Sequence, residues 1–152
     1  MRKLTLVVGL AAAVLAAQPG WAAEKKGACY SQTTIEAEQA IRFITDLMVV
    51  SSVRQDTIYA EFRLRNKDAI IAYQKALITH FRGAPAFDKW NTAIANLAAQ
   101  KQASVSPAEF WQQSEAMLKQ ASALDTNAFR AYASARAASV GEQYVKCGGK
   151  KK

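Results

Sequence analysis

Apolar residues recur along most of the chain at steps of three and four positions, the spacing that one face of an α-helix requires. No stretch alternates apolar and polar residues as a half-buried strand would. The clearest repeat predicts a first helix that reaches about Val53 and buries a single stripe: Ala37, Ala40, Ile41, Ile44, Leu47 and Met48. The pattern therefore predicts an all-α fold.

Helix boundaries are marked by capping residues, glycines and prolines. Thr33 with Glu36, and Ser106 with Glu109, have the spacing of a capping box, in which a hydroxyl and a carboxylate bind each other's backbone N–H groups. Further boundaries are predicted at Asp56 or Thr57, Gly83, Pro85 and Asp125. Asn66 and Asp68 interrupt the second helical stretch, which can be a short helix followed by a longer one. We expect a compact bundle of four to five helices.

The N-terminus has the three-part build of a cleavable signal peptide. Arg2 and Lys3 precede an apolar run from Leu4 to Ala17, and the pair Pro19-Gly20 follows it. Cleavage is expected after Ala22, because Gly20 and Ala22 then occupy the two positions that must be small. An apolar run of about 14 residues is short for a bilayer span, which needs about 20. The sequence thus predicts a periplasmic or secreted protein with no transmembrane segment in the mature chain.

Cys29 and Cys147 lie near the two ends of the predicted mature chain. In an oxidising compartment they are expected to form a disulfide. Five helices in strict up-and-down order would leave them about 30 Å apart, whereas residues 29–33 and 144–147 together span at most about 24 Å. Either two helices form one leg or some helices cross steeply. A four-legged bundle with a break near Asn66 or Asp125 would let the disulfide close.

The predicted organisation has four parts: signal peptide 1–22, a basic lead 23–32 that contains Cys29, one helical domain 33–145, and a lysine-rich tail 146–152 that contains Cys147. Residues 27–145 contain 12 basic and 11 acidic residues, so most of the net positive charge lies in the tails. A nearly neutral domain argues against a nucleic-acid-binding face. The lysine tails could contact anionic surfaces weakly.

Catalytic and cofactor sites have little support in the sequence. One alternative is a small-ligand or haem-binding bundle, with His80 and either Met48 or Met117 as axial ligands. Another is a cell-wall glycan hydrolase with Glu109 or Glu115 as the acid. Glu109 is better explained as the capping partner of Ser106. We therefore expect no enzyme, no cofactor and no metal site.

The leading hypothesis is a non-catalytic binding protein whose partner is another envelope or secreted protein. Candidate contact residues are the charge cluster Arg63, Arg65 and Lys67, whose side chains could converge if the helix breaks at Asn66. Trp111 is a further candidate. It follows Phe110 on the same helix and points about 100° away from it, which would place it at the edge of the buried stripe. Exposed tryptophans are common contact anchors.

Overall fold

The computed structural model describes residues 29–147. This part of the chain is helical, in agreement with the predicted all-α class. It contains no β-strand, only one isolated bridge between Tyr30 and Lys146. The predicted signal peptide and the tail lysines other than Lys146 lie outside the described residues. The helices are α1 (Gln32–Arg54), α2 (Ile58–Arg65), α3 (Lys67–His80), α4 (Ala84–Ala103), α5 (Pro107–Ala123) and α6 (Thr126–Val140), followed by a short 3-10 helix, Gly141–Gln143.

The described chain forms six α-helices, so the expected count of four to five is wrong. The additional helix arises at Asn66, where α2 ends and α3 begins. Asn66 is completely buried, and its side-chain amide donates to Phe62 O (3.1 Å) and to Leu124 O (3.3 Å). Because this amide binds one carbonyl of α2 and one at the C-terminal end of α5, it stabilises the interruption between α2 and α3.

The two breaks foreseen in the sequence lie in contact with each other. Leu124 O accepts from Asn66, while the Thr126 hydroxyl donates to Arg65 O at 3.2 Å. The α2–α3 and α5–α6 junctions therefore meet at one level of the molecule. Helix α1 packs against α3, α4 and α6, and Arg54 at its C-terminal end meets Ser114 of α5.

Helix α1 is the central element, since it packs against all five other helices. The predicted stripe is buried except for Met48, which is partly buried, but α1 is also buried on further faces, including the polar residues Glu38, Gln39 and Thr45. Each of these has a hydrogen-bond partner. Thr45 donates to Ile41 O (2.9 Å), Gln39 donates to the Tyr144 hydroxyl (3.0 Å), and Glu38 accepts from both Arg42 and Tyr144.

An aromatic cluster holds four helices together in the core. Phe129 of α6 meets Phe62 of α2 with ring centroids 5.0 Å apart, and Tyr73 of α3 at 5.8 Å. Phe43 of α1 contacts Phe62 and the ring of Tyr132, at 5.6 and 4.8 Å. Most of these pairs are tilted or edge-on, the arrangement that aromatic quadrupoles favour.

Helix starts agree with the sequence in most places. Ser106 forms a capping box with Glu109, and Asp125 accepts from Ala128 N at 2.8 Å, both as predicted. The prediction of Thr33 as the first cap is wrong, because Ser31 takes that role and accepts from Thr34 N. Glu36 therefore does not cap the helix, and its carboxylate accepts a hydrogen bond from the Tyr73 hydroxyl at 2.8 Å.

The two chain ends of the described region meet at one pole. Tyr30 N donates to Val145 O (2.8 Å), Cys147 N donates to Tyr30 O (3.1 Å), and the structure joins Cys29 to Cys147 with their Cα atoms 4.7 Å apart. The two ends can meet because α6 runs antiparallel to α1. Phe129, near the start of α6, lies beside Phe43, and Tyr144, just beyond the end of α6, reaches Glu38. Between residues 29 and 147, no helix combines the length and apolar character needed to cross a bilayer.

Candidate binding surface

Trp111 is half exposed on α5, and an arginine lies over its ring. The Cζ atom of Arg54, the last residue of α1, is 4.4 Å from the centroid of the Trp111 ring. Arg54 Nη1 also donates to Ser114 Oγ at 3.3 Å, and Ser114 Oγ donates to Trp111 O at 2.9 Å. These contacts hold the guanidinium and indole groups in one orientation before any partner arrives.

An open groove of about 450 Å³ lies beside this pair, and we call it the α1–α5 groove. It carries two cations, two carboxylates and two aliphatic side chains. Its lining residues are Arg54, Asp56, Ile58, Glu115, Leu118, Lys119 and Ser122. Val53, which precedes Arg54, is 57% exposed. A partly apolar groove bordered by charges of both signs resembles the core and rim of a protein–protein interface.

Asp56 fixes the chain where α1 gives way to α2, at one wall of the α1–α5 groove. Its Oδ1 accepts from the Ser51 hydroxyl and from Ile58 N, while Ser51 Oγ accepts from Tyr59 N at 3.1 Å. Its Oδ2 is buried and has no hydrogen-bond partner among the described residues. Asp56 is therefore a structural anchor for the groove wall.

The predicted charge cluster does not converge. Arg65 turns towards the C-terminal end of α5, where Nη2 donates to Ala121 O at 2.9 Å and Nε donates to Leu124 O at 3.1 Å. Arg63 lies over the Tyr59 ring at 5.5 Å, and Lys67 is exposed on α3. Arg65 thus caps a helix end, a role that the charge pattern did not indicate.

Because Arg65 caps a helix end and Arg63 does not, the two residues form a matched pair for mutation. Arg65→Ala is expected to lower the free energy of unfolding by about 1–2 kcal/mol, because it leaves the carbonyls at the end of α5 without their charged donor. Arg63→Ala, two residues away on the same helix, should change it by less than about 0.5 kcal/mol. Urea titrations followed by circular dichroism measure both, and equal effects would contradict the capping role.

The haem ligands proposed from sequence are far apart. His80 lies at the end of α3 with its ring 4.3 Å from Tyr30, at the pole where α1 begins. Met48 lies on α1, about 24 Å along the helix axis from the first residue of that helix. Met117 is one turn from Ser114, which meets Arg54 at the opposite end of α1. The fold therefore does not offer His80 and either methionine as two axial ligands of one iron.

The carboxylates proposed for hydrolysis are both on α5. The Ser106 N–H and hydroxyl bind Glu109 and lower its pKa, whereas a general acid at neutral pH needs a raised pKa. Glu115 is exposed and lines the α1–α5 groove. Nowhere in residues 29–147 do three or more His, Cys, Asp or Glu side chains gather as metal ligands would.

A second cavity, of about 170 Å³, lies between α1 and α4, and we call it the α1–α4 cleft. Its lining residues are Arg42, Thr45, Asp46, Ile94, Leu97, Ala98 and Lys101. No sequence pattern indicated this cleft or Arg54. Arg54 ends its helix without any motif, and the role of Asp46 depends on α4, which is about 50 residues away along the chain.

The comparisons with known proteins leave these sites without a relative to interpret them. No protein-family model matches the sequence, and searches of curated proteins and of solved structures return no significant match.

Proposed function

We propose that this chain is an exported, non-catalytic helical protein that binds another envelope or secreted protein through Trp111, Arg54 and the α1–α5 groove. Its two ends are tied by the Cys29–Cys147 disulfide. The observation that carries the proposal is the half-exposed Trp111 ring with the Arg54 guanidinium stacked on it, next to an open groove.

Three physical arguments support this surface. Tryptophan and arginine are the side chains most enriched among residues that dominate binding energy at interfaces. Arg54 is already held by Ser114, so little side-chain entropy is lost when a partner docks. Ile58 and Leu118 offer apolar area in the groove, while Glu115 and Lys119 can select the partner by charge.

The test is crosslinking in the exporting cell from defined surface positions. A photo-reactive residue at Gln112, beside Trp111, is expected to give one reproducible crosslinked product. The same residue at Ala72, exposed on α3, serves as the matched control and should not give that product. A product that is equally strong from Ala72, or none from Gln112, would contradict the proposed surface.

Trp111→Ala is expected to weaken binding of the crosslinked partner by about 30-fold or more, the effect of losing a central interface aromatic residue. Leu64→Ala provides the control, because Leu64 is an exposed apolar residue on α2 outside the groove, and should leave the dissociation constant unchanged. Calorimetric titration of the purified proteins measures both. A tryptophan that matters only for stability would instead lower the melting temperature with the dissociation constant intact.

A further inference from the structure

Asp46 occupies an unusual position in the middle of α1. Its side chain is partly buried and lines the α1–α4 cleft together with Lys101 of α4. Within residues 29–147, no donor lies within hydrogen-bond distance of its carboxylate and no cation lies within 4 Å of it. Asp46 therefore offers a partly buried carboxylate, still accessible to solvent, that binds no donor or cation of the described residues.

The surroundings of Asp46 stabilise its charged carboxylate only incompletely. Burial raises the pKa of Asp46 above its usual range, although Lys101, Arg42 and Arg136 all pull it down. Loss of hydration therefore outweighs the attraction of three cations that are too distant to bind the carboxylate directly. A donor placed inside the cleft would remove this penalty.

The two cations that line the cleft differ in availability. Arg42 is bound to Glu38, with Nε 2.9 Å and Nη2 2.7 Å from the same oxygen, and its guanidinium lies 5.7 Å from the Trp90 ring centroid. Lys101 is exposed and forms no ion pair with the described residues. The cleft therefore presents one available anion and one available cation, with apolar surface from Ile94, Leu97 and Ala98 between α4 and α1.

The two charges of the cleft determine which kind of ligand it can bind. A simple anion would meet the Asp46 carboxylate, and a simple cation would meet Lys101 with Arg136 nearby. A molecule with both charges and a short apolar group satisfies all three parts of the cleft. The volume of about 170 Å³ suits a ligand of that size, since a cavity of about 150 Å³ admits benzene.

We propose that the α1–α4 cleft binds a free amino acid with an apolar side chain. The ligand ammonium group donates to Asp46, its carboxylate accepts from Lys101, and its side chain packs on Leu97 and Ala98. This site is separate from the α1–α5 groove, so it does not depend on the proposed protein partner.

The test uses the intact mature protein and nuclear magnetic resonance titration with leucine. Two analogues separate the charges: isoamylamine lacks the carboxylate, and 4-methylpentanoate lacks the ammonium group. Leucine is expected to shift backbone amide signals around residues 42–46 and 94–101, and each analogue should bind at least about tenfold more weakly, because each loses one charge-assisted contact. Absence of a leucine-dependent shift at about 10 mM, or equal binding of either analogue, would overturn the proposal.

Variants locate the binding. Asp46→Asn and Lys101→Gln should each weaken leucine binding by about tenfold or more. Asp88→Asn, an exposed carboxylate on the same helix as Lys101, and Lys119→Gln, in the other groove, are the matched controls and should not. The asparagine variant should fold well, since it removes a partly buried charge that has no partner. Unchanged leucine affinity in both test variants would place binding elsewhere and exclude this cleft.

Discussion

Replacing Phe129 with alanine is expected to lower the free energy of unfolding by about 3–5 kcal/mol, the cost of removing a buried phenylalanine. Phe129 is completely buried, and its ring contacts Phe62, Tyr73 and Phe43. These four residues come from four different helices, so the space left by the ring cannot be filled by one helix moving inward. Both the lost apolar burial and the remaining cavity therefore contribute.

The matched control for this prediction is Leu64→Ala on α2. Leu64 is 79% exposed, so its truncation should change the free energy of unfolding by less than about 0.5 kcal/mol. Urea titration with tryptophan fluorescence and circular dichroism gives both values. A loss below about 1 kcal/mol for Phe129→Ala would mean that the helices can repack around the gap, and that the aromatic cluster does not hold them together.

Reduction of the disulfide is expected to destabilise the protein by about 4–5 kcal/mol, because the link closes a very long loop and so restricts the unfolded chain. The two cysteines are 118 positions apart. Reduction should also loosen the segment after α6, where Val145 and Cys147 are hydrogen-bonded to Tyr30. Tyr144 would then be less firmly held over the buried Glu38 carboxylate.

Two measurements check this prediction. Mass spectrometry of the protein isolated under non-reducing conditions should recover Cys29 and Cys147 in one linked peptide pair, and two free thiols would contradict the link. Urea titrations with and without a thiol reductant give the stability difference. A variant with both cysteines replaced by serine is the control, since the reductant should have no effect on it.

Tyr144 shows how closely the C-terminal end is fitted to α1. Its hydroxyl donates to Glu38 at 2.9 Å and accepts from Gln39 at 3.0 Å. Burial and the Glu38 carboxylate raise the pKa of Tyr144 to about 12, so it keeps its proton and remains a donor at any physiological pH. Its contacts connect the segment after α6 to the buried polar residues of α1.

The helix ends were largely predictable because they depend on residues three or four positions apart. Ser106 with Glu109 and Asp125 with Ala128 are local hydrogen bonds that a sequence motif describes fully. The break at Asn66 was also foreseen, because an asparagine in mid-helix competes for backbone groups. What could not be foreseen was the second partner of that asparagine, Leu124 O, which is 58 residues away.

The burial pattern of α1 could not be derived from the sequence. Glu38 and Gln39 look like solvent-facing residues, and their burial depends on a tyrosine more than 100 positions later in the chain. Position in the fold, rather than residue type, decides that a polar side chain is enclosed. An amphipathic pattern predicts one buried face, so it underestimates the buried fraction of a helix that other helices surround on several sides.

The candidate sites also contain parts that the sequence predicts and parts that it does not. Trp111 was predicted at the edge of the buried stripe, because its angle from Phe110 is set by the helix itself. Its partner Arg54 comes from another helix and carries no signal of its own. The charge run at Arg63, Arg65 and Lys67 was visible, yet the direction of Arg65 depends on carbonyls at the end of α5, more than 50 residues further on.

The central position of α1 has a consequence for how the protein forms. The ribosome makes α1 before the other described helices, and α6, which covers one of its faces, is the last of the six to be made. A nascent chain that ends before Phe129 has no means of closing the aromatic cluster. The aromatic core can therefore close only after α6 has been made.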